Sequence, residues 1–173
     1  MNCSKKQMTS NDYSREGMLY DNQAIHEKAI QEFTKAIEAD SNNINAYIMR
    51  GHMHDRDGHP EIAIHDHNKA IELDPSNPEA YFYRGFSYMV ERTGGIPNYQ
   101  QAVDDFTKAI QLNINIPEVY FYRGSAYKSL KLLEEALSDF KKYIFIVGHT
   151  NTPRVKLVEE EIQQIEEVLS TKN

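Results

Sequence analysis

The sequence predicts an all-α fold of stacked helix pairs, and three observations point there. The stretch Tyr81-Phe82-Tyr83-Arg84-Gly85 recurs letter for letter as Tyr120-Phe121-Tyr122-Arg123-Gly124, with a looser copy at Tyr47-Ile48-Met49-Arg50-Gly51. A second signature, Lys69-Ala70-Ile71-Glu72-Leu73, returns as Lys108-Ala109-Ile110-Gln111-Leu112, and Lys35-Ala36-Ile37-Glu38-Ala39 precedes both. Aligned with itself, the chain steps by 34 residues from Ala29 to Ala63, 39 to Ala102 and 34 to Ala136, close to the period of about 34 of a helix–turn–helix repeat. No useful window shows the apolar–polar alternation of a strand.

Taken in order, residues 1–9 are polar and unpatterned and read as a loose tail. Four units follow, at about 10–43, 44–77, 78–116 and 117–150, marked by Gly17, Gly51, Gly85 and Gly124. Further on come Ala29, Ala63, Ala102 and Ala136; then Phe33, His67, Phe106 and Phe140; then Ala36, Ala70, Ala109 and Tyr143. In the second unit a first helix is expected from about Ile44 to Asp57. Asp57-Gly58-His59-Pro60 is the turn, since glycine stops one helix and proline suits the start of the next. The second helix runs to about Leu73, where Asp74-Pro75 ends it, and Asn77-Pro78 restarts the chain as N-cap and first helical residue. The longer step in the third unit places extra residues in its turn, from Glu91 to Tyr99, with a Gly-Gly pair and a proline; loop closure makes such an insertion cheap. From 153 to 173, Val155, Val158, Ile162, Ile165 and Leu169 form one apolar stripe. This reads as a capping helix, because a stack needs a terminal element with a polar outer face. A coiled-coil arm would need a longer run of heptads.

Composition bounds the function. The chain of 173 residues is 40% hydrophobic and 26% charged, as in a soluble folded domain. A formal charge of −7 with only 19 Lys and Arg argues against nucleic acid or an anionic membrane as partner. A single cysteine, Cys3, leaves no intramolecular disulfide and no cysteine-based zinc site. The N-terminus has no apolar run of a signal peptide, and no stretch reaches the roughly 20 apolar residues of a membrane helix. The expected setting is the cytoplasm, as a monomer. No phosphate loop, HExxH, nucleophile elbow or catalytic thiol is present, so neither an enzyme nor a cofactor site is expected.

These residues resemble the tetratricopeptide repeat family. Its motif has a bulky residue at repeat position 4, a small one at 8, an aromatic at 11, alanine at 20, an aromatic at 24, alanine at 27 and proline at 32. The third unit matches with Tyr81, Gly85, Tyr88, Ala102, Phe106 and Ala109; the fourth with Tyr120, Gly124, Tyr127, Ala136 and Phe140. The second has Tyr47, Gly51, Ala63, Ala70 and Pro75, and the first Tyr13, Gly17, Tyr20, Ala29, Phe33 and Ala36. The resemblance implies a right-handed superhelix of four repeats plus the cap, used to bind a protein or peptide.

It also implies where binding would occur: a concave groove lined by the first helix of each repeat, at positions 2, 5, 9, 12 and 13. The candidate groove residues are Met18, Ile48, His52, Asp55, Phe82, Phe86, Met89, Phe121, Ser125 and Lys128. Exposed aromatics and methionine suit an interface; the competing reading is that they pack on one another as core. Some relatives clamp a C-terminal carboxylate with lysine, asparagine and arginine. The matching positions here are Ser14, Met18, Met49, Glu79 and Tyr83, or one repeat on Ile48, His52, Tyr83, Glu118 and Tyr122, and neither frame fits. The expected activity is that of an adaptor or scaffold for a segment with apolar anchors, with a chaperone for an apolar client as the alternative.

Departures from the pattern carry their own expectations. His54 and His67 take the aromatic places of the second repeat and are expected to face each other, hydrogen-bonded with Asp55 or Asp66 nearby. With His52, His59 and His65 they also raise a metal- or pH-responsive site, although i, i+2 pairs lie on different helix faces. Proline is missing at Ser41, Ile114 and Gly148. Arg50, Arg84 and Arg123 recur alongside Asp66, Asp105 and Asp139, which predicts ion pairs at the helix seams, against a reading in which the aspartates form a solvated face and the arginines snorkel.

Overall fold

The computed structural model describes residues 8–90 and 97–171. Most of the expected N-terminal tail, with Cys3, and most of the third-unit insertion lie outside those residues. Among the described residues there are nine α-helices and no strand: α1 (Ser10–Asn22), α2 (His26–Ala39), α3 (Ile44–Arg56), α4 (Pro60–Leu73), α5 (Pro78–Met89), α6 (Tyr99–Gln111), α7 (Glu118–Ser129), α8 (Leu133–Val147) and α9 (Pro153–Ser170).

Helix starts follow from local chemistry. Thr9 closes a capping box with Asp12, and Asn43, Asn77, Asn98 and Thr152 each accept a backbone N–H of the first turn. The turn after the first helix needs one residue in the left-handed region. Gly58 supplies it without strain at φ +79°, whereas Ala24 (φ 57°) and Lys131 (φ 63°) are forced into it. The backbone bonds from Ile25 to Tyr20, His59 to His54 and Leu132 to Tyr127 close the same helix-ending motif three times. Where proline is missing, other residues serve. Asp40 accepts the Asn42 N–H as Asp74 accepts that of Ser76, and Asn113 (φ 61°) and Gly148 (φ 76°) reverse the chain.

Each first helix packs on its own second helix, and each second helix on the next first helix, so the pairs stack into an all-α superhelix. The recurrent small residue and ring meet within each pair. A Cβ added at Gly17, Gly85 or Gly124 would lie 2.8–2.9 Å from Phe33, Phe106 or Phe140, so the ring occupies the space a side chain would need. In the second pair His67 lies over Gly51 in the same way, at 2.5 Å, and is completely buried.

The arginine–aspartate recurrence is an ion pair in every case. Arg50 binds Asp66, Arg84 binds Asp105 and Arg123 binds Asp139 through two parallel bonds of 2.7–2.8 Å. The carboxylates are buried, at 1%, 6% and 4% exposure, so the solvated-face reading does not hold. The remaining arm of each guanidinium donates to the preceding second helix, at Thr34, Asn68 and Thr107. One side chain thus ties three helices. The carboxylate bonds hold Arg50 and Arg84 above the ordinary arginine value.

Helix α9 takes the place of a fifth first helix. Pro153 opens it as Pro78 opens α5, and Val155 is buried where Ala80 and Val119 are buried in α5 and α7. Tyr143, where the other pairs have alanine, is buried beneath it with Val158 and Ile165.

Candidate functional site

The first helices α1, α3, α5 and α7 line one face of the stack, and α9 continues it. Along this face the candidate residues separate by burial. Ile48 and Phe82 are 3% and 6% exposed, so the expectation that they stand open in the groove is corrected: they form its floor. Phe82 is held by Phe106 and Tyr122, at ring separations of 5.9 Å each. The physical reason is the stacking itself, because position 5 of one repeat meets position 6 of the next. Asp55 is also buried, at 5%, with its carboxylate turned inward.

The accessible wall is made of His52, Phe86, Phe121 and Ser125, all half-buried, with exposed Met18 at the α1 end. Met89 is half-buried against the core of the third pair. Lys128 is ion-paired with Glu161 of α9. Three shallow pockets run along the strip. One of about 370 Å³ is bounded by Ile44, Ile48, Met49, Glu79, Tyr83 and Ile116. A second, of about 210 Å³, shares Tyr83 and Ile116 and adds His52, Phe86, Glu118 and Tyr122. A third, of about 330 Å³, lies between Phe121, Ser125, Lys128, Leu157 and Glu161.

Sequence reasoning missed Tyr83 and Tyr122 as wall residues. Tyr83 contacts the His52 ring at 4.9 Å and stacks on His67 at 6.1 Å; Tyr122 contacts Phe86 at 5.3 Å edge-on and Phe106 at 6.2 Å. Each tyrosine bridges from its own repeat to the one before. The signal was present: both belong to the duplicated five-residue stretch. Glu79 and Glu118, at position 2, border the pockets beside these tyrosines. Arg154 of α9 approaches Glu118 at 3.2 Å and lies over the Phe121 ring, 5.4 Å from its centroid.

Behind the wall is a polar node that the histidine departures create. Among the described residues His67 has Asp55, expected nearby, as its close polar neighbour. Its Nε2 lies 3.6 Å from Asp55 Oδ2, both side chains being fully buried, while Ser87 donates to the same Asp55 oxygen at 2.7 Å. Asp55 lies one turn beyond Gly51 on the helix face that meets α4, and His54 is half-buried. Among the described residues, Asp55 Oδ1, both His67 nitrogens and His52 Nδ1 have no hydrogen-bond partner. Burial holds His52 below the ordinary histidine value, against the pull of Asp21 and Asp55 and with the push of Arg56 and His67. His54 is lowered too, again chiefly by burial. Among the described residues no group of three or more His, Cys, Asp or Glu is placed to hold a metal ion. No helix there is long and apolar enough to cross a membrane.

Comparisons with known proteins follow the same lines. Family profiles described as tetratricopeptide repeat match residues 13–43 and 117–144, and one described as TPR repeat matches 61–89. No curated protein sequence matches the chain. Among solved structures, MamA is 25% identical with a TM-score of 0.71, covering 89% of this chain and 84% of its own. A Thermus thermophilus TPR protein, TTC0263, is 15% identical with a TM-score of 0.74, covering 93% and 83%. The first TPR of Spaghetti (RPAP3), solved with the HSP90 peptide SRMEEVD, is 23% identical with a TM-score of 0.64, covering 71% and 94%.

Proposed function

Because this chain belongs to the tetratricopeptide repeat family, we propose that it is a non-enzymatic protein–protein interaction module whose concave face receives a peptide or helical segment with apolar anchors. The observation that carries this reading is the continuous aromatic wall of Tyr83, Phe86, Phe121 and Tyr122, edged by shallow pockets rather than closed over by the chain's own side chains. Rigid rings on a pre-built scaffold give contact area at low entropic cost, as interface cores favour. The relative solved with SRMEEVD supports the general mode of binding. It does not transfer the ligand, since that peptide is acidic and the groove here carries Glu79 and Glu118 at its edges.

An adaptor role follows, in which the chain holds a partner and changes nothing in it chemically. The test is capture with the full chain as bait, comparing wild type with the double substitution Phe86→Ala and Phe121→Ala. Partners lost from the variant, with its helical circular dichroism preserved, support the groove. Partners retained in full by a folded variant move the binding surface elsewhere. General suppression of client aggregation, without a defined partner, favours the chaperone alternative.

A further inference from the structure

We propose that the groove selects a segment bearing a cationic side chain, arginine or lysine, next to its apolar anchor; this rests on the reading of the groove as the binding site. The pocket between α3, α5 and α7 is built of rings, with His52, Tyr83, Phe86 and Tyr122 around it and the Glu118 carboxylate on its border. Aromatic faces carry negative potential, and a cation placed over them beside a carboxylate is attracted by both. The adjoining pocket shares Tyr83 and ends in a second carboxylate, Glu79. Among the described residues Glu79 forms no ion pair, so this border of the groove has unspent negative charge. Burial keeps His52 neutral near pH 7, so it adds no repulsion, and among the described residues its Nδ1 is without a hydrogen-bond partner.

The molecule already uses this arrangement once, so Glu118 is shared with a cation of the chain itself, whereas Glu79, among the described residues, is not. The Arg154 guanidinium of α9 lies over Phe121, 5.4 Å from the ring centroid, and reaches Glu118 at 3.2 Å. One pocket further along, Lys128 is neutralised by Glu161 and does not oppose an incoming cation. An acidic residue in the first turn suits the helix dipole, which accounts for a glutamate at the start of α5 and α7. It does not account for the ring-lined pocket beside Glu118, nor for Tyr83 and an aliphatic pocket beside Glu79.

The test is selection from a random linear peptide library displayed on phage, with the full-length chain as bait, followed by affinity measurement on synthetic copies of the enriched peptides. The expected result is enrichment of Arg or Lys at a fixed spacing from an apolar residue. Binding should then be about tenfold weaker to Glu118→Gln or to Glu79→Gln, and should fall with salt. Glu134→Gln, an exposed residue of α8 that lines none of the three groove pockets, is the control and should bind as wild type; matching thermal midpoints exclude a general loss of fold. Apolar peptides without a basic preference, lost on Phe86→Ala but indifferent to both glutamine variants, overturn the cationic proposal and leave the groove reading standing. Enriched peptides indifferent to all groove substitutions, or no enrichment, overturn both.

Discussion

Arg84 grips Asp105 at two points, Nε to Oδ2 at 2.8 Å and Nη2 to Oδ1 at 2.7 Å, while its third arm reaches Asn68 Oδ1 of the preceding helix pair at 2.7 Å. Asp105 is only 6% exposed, so removing the arginine leaves a buried charge without its partner. Arg84→Leu is therefore expected to cost roughly 3–5 kcal/mol, read as a lower urea midpoint at unchanged slope. The double change Arg84→Leu with Asp105→Leu should recover most of that loss, because two apolar residues replace a desolvated pair. A single Arg84→Leu variant as stable as wild type would show that the pair contributes nothing to the stack.

Two turns hold residues ill suited to their backbone. Ala24 and Lys131 occupy the left-handed position that Gly58 fills in the second unit. A side chain there costs about 1–2 kcal/mol, and glycine removes that cost while losing some of the gain to a freer unfolded chain. Ala24→Gly and Lys131→Gly are each expected to stabilise by about 0.5–1 kcal/mol, measured as thermal or denaturant midpoints. Gly58→Ala is the reciprocal change and should destabilise by a similar amount.

The helix pairs were legible because packing writes them as a period: a glycine and the ring it receives need each other, as Gly17 and Phe33 or Gly124 and Phe140 do at one spacing, which the insertion lengthens between Gly85 and Phe106. The seam ion pairs were legible for the same reason, since Arg84 and Asp105 repeat together and are lost together in the first unit, which has Glu16 and Glu32. The groove was less so. A helical wheel puts Phe82 and Phe86 on the same face, but whether a ring at that face is wall or floor depends on the neighbouring repeat. Tyr122 covers Phe82 and leaves Phe86 at the edge, a contact between repeats that no single repeat encodes. For His67 the expected neighbour Asp55 is present, 3.6 Å away, because the helix phase brings it one turn beyond Gly51, but the expected hydrogen bond is not formed.

Acid should weaken this fold earlier than its carboxylates require. Burial lowers His52 and His54 below their ordinary value of 6.5. The unfolded chain therefore binds their protons more readily than the native one. Their contribution is complete above about pH 6.5 and is lost as pH falls through the lowered native values. The thermal midpoint is expected to drop between about pH 6.5 and 5, where carboxylates remain ionised. Replacing both, His52→Phe as in the equivalent Phe86 and His54→Tyr as in Tyr88, should flatten that limb. An equally steep limb in the double variant would assign the effect to other groups.

Phe82 and Phe86 lie one turn apart on α5 and should respond oppositely to truncation. Phe82 is 6% exposed and packed against Phe106, Tyr83 and Tyr122, so Phe82→Ala opens a cavity and is expected to cost roughly 3–5 kcal/mol. Phe86 is half-buried, with His52 and Tyr122 as its ring neighbours and a pocket beside it. Phe86→Ala can draw on that open side and is expected to cost less than half as much in a urea titration. Binding should divide the other way. A ring at the wall touches the partner, so Phe86→Ala weakens capture while the protein stays folded, and any loss from Phe82→Ala tracks its loss of structure. Equal destabilisation by the two substitutions would place Phe86 in the core and leave Phe121 and Leu157 as the apolar contacts available to a ligand.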